Sequence, residues 1–141
     1  MKVRELMTKD VSFANPNTSV EQIAKQMKEL DVGCIPVCDA DKHALGIVTD
    51  RDIVLRSVSQ GNNQHRAQEI MSDKLIFATP DMDAHEAADL MARNQVRRLP
   101  VVEKGKLVGI LAIGDLATQN IYVNEAGDAL CDISKPSRPQ M

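Results

Sequence analysis

The chain has 141 residues, 43% of them hydrophobic and 2% aromatic, with a formal net charge of −3. That length allows one compact domain or two small halves sharing a core, and the composition is that of a globular chain. A mildly acidic protein so poor in aromatics lacks both the basic field and the stacking platforms of a nucleic-acid binder, and has no global attraction to an anionic membrane. No apolar run approaches the ~18 residues of a bilayer span, and MKVRELMTKD has no signal-peptide core. A cytoplasmic protein is expected.

Along the chain the same elements occur twice. A shift of 64 lays Glu5 on Glu69, Met7 on Met71, Phe13-Ala14-Asn15-Pro16 on Phe77-Ala78-Thr79-Pro80, and Pro36-Val37 on Pro100-Val101. After one deletion the shift is 63, and Gly46-Ile47 meets Gly109-Ile110 while Asp52 meets Asp115. The deletion falls between DADKHALG and EKGKLVG, where a turn is expected, and length variation confined to a turn suits a structural repeat.

Each copy predicts a strand, a helix, two strands and a short helix. The first long helix is read from Val20, Ile23, Ala24, Met27 and Leu30, and its counterpart from Ala84, Ala87, Ala88 and Met91. Ser19 with Gln22 and Asp83 with Glu86 have the spacing of capping boxes. CIPVC and RLPVV predict the next strand, LGIVT and LVGILA the last one, and DRDIVLRSV and IGDLATQN a short helix. The expected organisation is repeat 1 over 1–58, a polar linker over 59–66, repeat 2 over 67–122, and a C-terminal helix and tail over 123–141, the helix read from EAGDALCDIS and the end from the frayed KPSRPQM. The fold class is α+β: two strand–helix–strand–strand–helix repeats related by a pseudo-twofold and packed as one module. Some 60 residues bury too little to be comfortable alone, so two copies sharing a core is the economical arrangement.

Three cysteines are an odd number, and buried free thiols are the expectation. Cys34 and Cys38 share one face of their strand, and with His43 nearby they are a conceivable metal group, although the spacing fits no common zinc pattern. Met7, Met27, Met71 and Met91 read as core filler, and His65 and His85 as exposed polar residues.

The pattern IPVCD…LGIVTDRDIV, echoed by LPVVE…LVGILAIGDLA, resembles the cystathionine-β-synthase (CBS) domain family, and the tandem pair is similar to a Bateman module. The likeness covers residues 1–120 in register and is greatest to small free-standing bacterial CBS pairs, including those of the hypoxic-response type. The signature Gly-h-h-Thr-x-x-Asp, where h is hydrophobic, is complete as Gly46-Ile47-Val48-Thr49-Asp50-Arg51-Asp52. The resemblance implies an adenosine-containing ligand between the repeats: AMP, ADP or ATP, with S-adenosylmethionine as an alternative.

The first cleft would join Thr49, Arg51 and Asp52 with Lys74, Ile76, Val96, Arg97, Arg98 and Pro100. Asp52 would hold the ribose hydroxyls. Thr49, Arg51 and the first N–H groups of the following helix would meet phosphate. The arginine pair would add bidentate charge, Arg98 ahead of Arg97. The second cleft would join Asp115 and Ala112 with Asp10, Val11, Val32, Gly33 and Pro36. There Ala112 replaces the threonine and Gly33-Cys34 the arginines, so weak, nucleoside-like binding or none is expected. Thr-x-x-Asp is also an ordinary helix cap. The family also implies a homodimer and a separate effector protein. No nucleophile constellation or acid–base pair suggests an enzyme. A cysteine-based redox or metal responder and a ligand-free dimerisation unit are the competing readings.

Overall fold

The computed structural model describes residues 1–61, 64–72, 74–119 and 123–135. Asn62 and Asn63 of the expected linker and the tail from residue 136 lie outside the described residues.

The chain forms two compact units that do not follow the repeats in simple succession. Among the described residues, one holds those of Ser12–Leu75 with Lys104–Leu107; the other holds Met1–Val11, those of Ile76–Glu103 and those from Val108 to Lys135.

In the unit built on repeat 1, α2 (Val20–Leu30) begins at Ser19, whose hydroxyl accepts from the Gln22 N–H at 3.1 Å. The helix ends at Asp31, in the left-handed conformation that a short polar side chain tolerates. Val20, Ile23 and Met27 are its buried face. It packs against the hairpin of β1 (Cys34–Cys38) and β2 (Ala44–Thr49), paired antiparallel from Cys34–Thr49 to Val37–Gly46, with a bulge between Val37 and Cys38. Every residue of β1 is buried. Helix α3 (Asp50–Arg56) follows β2 without a break, and a short turn, α4 (Ala67–Ile70), adds Ala67 and Ile70 to the core.

The second unit repeats this plan. Helix α5 (Ala84–Asn94) starts at Asp83, which accepts from the His85 N–H, and ends at Gln95, the left-handed counterpart of Asp31. Strands β3 (Arg98–Glu103) and β4 (Lys106–Ala112) form its two-stranded sheet and lead into α6 (Ile113–Ala117). Helix α7 (Val123–Ser134) packs on α5 and α6. The N-terminal turn α1 (Val3–Leu6) inserts Val3, fully buried, into the same core. It is tied by Val3 N–H to Met82 O, by Arg4 N–H to Pro80 O, and by ion pairs from Lys2 and Arg4 to Asp81.

The leading strand of each copy is reduced to one parallel bridge. Ala14 N–H donates to Pro36 O and Cys38 N–H to Ala14 O; Ala78 N–H donates to Pro100 O and Val102 N–H to Ala78 O. In repeat 1, Asn15 ends the extended run at once, its side chain accepting from the Asn17 N–H in an Asx turn.

Gly46 and Gly109 are the tightest points. A Cβ on Gly46 would lie 2.5 Å from Ser72 O, and one on Gly109 would lie 2.8 Å from Thr8 O and from Met7 Sδ. These approaches let Ile47 exchange hydrogen bonds with Ser72, and Thr8 with Ile110. Met7 and Met71 therefore serve as soft covers for a glycine. Gly46→Ala is expected to destabilise the protein by about 1–3 kcal/mol, because backbone must move to make room. Urea unfolding should show a lower midpoint at unchanged slope, and an unchanged midpoint would show that the approach is loose.

Candidate functional site

The signature residues sit where β2 becomes α3. The Asp52 N–H donates to Thr49 Oγ1 at 3.1 Å, and the Thr49 N–H donates to Asp52 Oδ2 at 2.9 Å. This reciprocal pair is a complete capping box. The Asp52 side chain is only 15% exposed, and its Oδ1 lies 3.8 Å from Arg56 Nε. Thr49 accepts through its hydroxyl, which leaves that proton to donate. Arg56 was not singled out in the sequence, although its i,i+4 spacing from Asp52 is the signal that could have found it.

The expectation that the first N–H groups of this helix stand free is corrected. Asp50 N–H donates to Gly33 O at 2.9 Å, Arg51 N–H to Asp50 Oδ1 at 2.8 Å, and Asp52 N–H to Thr49 Oγ1. An aspartate as the first helical residue, with a hydroxyl at the cap, uses up these donors internally.

The counterpart in repeat 2 is half complete. Asp115 Oδ2 accepts from the Ala112 N–H at 2.8 Å, but Ala112 has no side-chain oxygen to accept from Asp115 in return. Here Ile113 N–H donates to Arg97 O, as Asp50 does to Gly33. The structure thus brings Arg97 to the start of α6, in the same unit as Ala112 and Asp115.

Of the residues expected at the first cleft, Thr49, Arg51, Asp52 and Lys74 belong to one unit and Ile76, Val96, Arg97, Arg98 and Pro100 to the other. Arg51, Lys74, Arg97 and Arg98 are exposed; Pro100 is buried and Ile76 and Val96 half-buried. Of the second set, Val32, Gly33 and Pro36 belong to the first unit, and Asp10, Val11, Ala112 and Asp115 to the second. Asp10 is exposed and holds a left-handed backbone, φ 55°. Gly33 has Asp50 against it: a Cβ there would lie 3.2 Å from Asp50 Oδ2.

Cys34 and Cys38 are buried, as expected, but Cys131 is exposed, because it lies on the outer side of α7. Burial, reinforced by neighbouring Asp39, pushes the Cys38 thiol up to about 11, so at neutral pH it is a protonated thiol and a poor ligand. Among the described residues the group with ligand atoms within 4.8 Å of one another is Asp39, Asp41 and His43, without either cysteine. Asp39 already accepts from the Asp41 and His43 N–H groups and meets His43 Nδ1 at 3.1 Å, which fixes the turn between β1 and β2. The backbone N–H of His43 is the foremost reason that the Asp39 carboxyl lies below the usual range. His65 departs from the exposed reading: it is half-buried, with Nδ1 3.1 Å from Ser57 Oγ.

Two measurements follow from this geometry. With a disulfide reagent at pH 8, Cys131 should react first, while Cys38 waits for unfolding or for pH near its raised value; simultaneous reaction of all thiols would contradict its burial. Thr49→Ala should cost about 1 kcal/mol of stability without any ligand, with Thr49→Ser restoring most of it. An unchanged melting temperature in Thr49→Ala would remove the cap from the account.

The model of the CBS domain family matches residues 3–59 and again 67–120. The CBS domain-containing protein YhcV of Bacillus subtilis is 42% identical over 133 residues, 94% of each chain. The crystal structure of hypoxic response protein I, solved with two coordinated zinc ions, superposes with a TM-score of 0.76 at 31% identity, covering 83% of this chain and 97% of that one. A CBS domain protein from Pyrobaculum aerophilum complexed with AMP gives a TM-score of 0.80 at 27% identity, over 90% and 98% of the two chains. A CBS domain pair in complex with 5′-methylthioadenosine and S-adenosylmethionine gives 0.75 at 25% identity, over 83% and 93%. With both repeats matched and the signature in place at the β2–α3 junction, the chain belongs to the CBS domain family as a tandem pair.

Proposed function

We propose that the chain is a regulatory sensor that binds an adenine nucleotide, AMP, ADP or ATP, in the cleft between its two CBS repeats, and that it is not an enzyme. The observation that carries this reading is the complete signature of repeat 1, with the Asp52 carboxylate held in place by its own cap. In this reading Asp52 accepts from the ribose hydroxyls through the oxygen its cap leaves open. Thr49 donates its hydroxyl proton to phosphate, with Arg51 beside it. Lys74, Arg98 and then Arg97 supply further charge, and Ile76, Val96 and Pro100 the apolar wall. Asp115 marks a weaker second position with Ala112, Asp10, Val11, Val32, Gly33 and Pro36, where the threonine hydroxyl has no counterpart.

The AMP complex of the Pyrobaculum protein supports the ligand class. The complex with S-adenosylmethionine supports a second reading in which the same cleft takes a sulfonium nucleoside. The arginine pair favours the first, since guanidinium forks suit phosphate and repel a cation. A sensor of this kind acts through a homodimer and a separate effector protein, and its ligand must bind two states unequally.

Titration calorimetry with AMP, ATP and S-adenosylmethionine tests this. AMP or ATP should bind the wild type, and Asp52→Asn, which keeps a capping oxygen but loses the charge, should weaken binding about tenfold to a hundredfold, the range for a charge-assisted bond. Equal affinity in Asp52→Asn, or no binding of any of the three to the wild type, would sink the proposal. Binding of S-adenosylmethionine alone would favour the second reading.

A further inference from the structure

Helix α7 lies beyond the residues matched by the family model, which end at 120. It runs alongside α5 in the same direction. At its start Glu125 Oε1 meets His85 Nδ1 at 3.3 Å, and at its end the Gln95 side-chain amide donates to Asp132 O at 3.0 Å and Lys135 O at 3.3 Å. Among its described side chains Ala126 and Ala129 are buried and Ile133 is half-buried, whereas Leu130 and Cys131 face outward.

The repeat shows what α7 covers. Its floor is α5 and α6, and Leu116 of α6 is fully buried. The corresponding pair in repeat 1, α2 and α3, has Ile53 half-buried at the position of Leu116; its exposed Leu30, Val54 and Leu55 match Asn94, Ala117 and Thr118, which stay exposed in repeat 2 as well. The difference between the repeats is confined to that position: Leu116 is fully covered where Ile53 is half-exposed.

That occupant is weakly built. Gly127 sits in the middle of α7, and a Cβ placed there meets nothing within 4 Å. No turn, close approach or left-handed backbone requires a glycine at this position, so its physical effect is to weaken the helix. Among the described residues, a glycine without a packing reason, an inner face of two alanines and one isoleucine, and polar ties at the two ends describe a lightly held helix. We propose that α7 is a reversible cover over the α5–α6 face. It opens separately from the rest of its unit and, when it leaves, bares the helix that carries Asp115.

Hydrogen exchange of the full chain, read by mass spectrometry, tests this. In the wild type the amides of 123–134 should exchange faster than those of 84–94, as a local opening. Gly127→Ala should slow α7 exchange about fivefold, the effect of replacing a helical glycine by alanine. Gln95→Gly, which retains the left-handed cap and removes the amide, should speed it and leave α2 unchanged. The proposal is overturned if α7 and α5 exchange together in a single global event, or if α7 opens on its own but is indifferent to Gly127→Ala.

Discussion

Two places where backbone crosses a glycine organise this molecule. Ser72 O lies where a Cβ on Gly46 would have to sit, and Thr8 O does the same over Gly109. Only a residue without a side chain admits that approach. Met71-Ser72, which opens the second copy in sequence, is laid on a strand of the first. Met7-Thr8, which opens the first copy, is laid on a strand of the second. The repeats thus exchange their leading segments, and the compact units cut across the repeat order. Each crossing fixes the last strand of a hairpin three residues before the strand becomes a helix, which is where the signature polar groups stand.

The signature therefore has two tasks in one stretch of chain. Its glycine admits the crossing segment, and its threonine and aspartate close the helix start on themselves. The two repeats keep the first task equally and differ in the second. In repeat 2 the cap is one-sided, with Asp115 bonded to Ala112 N–H and nothing returned. The Asp52 carboxylate is thereby held in one orientation, with little side-chain freedom left to lose in any further contact.

Much of this was legible in the sequence. The long helices followed from apolar spacing and from Ser19 and Asp83, because capping is a local property and local properties survive folding. The hairpins followed from β-branched runs around a turn of variable length. What escaped was set by distance along the chain. No pattern near Gly46 or Gly109 reveals which segment crosses it, and the pairing of His65 with Ser57 or of Gln95 with α7 likewise depends on packing. The leading strands shrank to single bridges because Ala14 and Ala78 have one partner each and the chain turns away beyond them. At the candidate site, the Thr49–Asp52 spacing was readable, whereas the internal use of the Asp50, Arg51 and Asp52 amides was not. It depends on a carbonyl from Gly33 and on side-chain rotamers that a motif does not encode.

The crossing at Gly109 also orders events in time. Met7 and Gly109 stand about a hundred residues apart, so during synthesis Met7-Thr8 finds its place only after Gly109 has been made. Until then residues 12–75 can draw together around α2 and the first hairpin, whereas Val3 has no core to enter. Contacts of such long sequence separation close late, because the loop they seal must first exist. Vectorial synthesis thus leaves Met7-Thr8 waiting unplaced until β4, made about a hundred residues later, gathers it in.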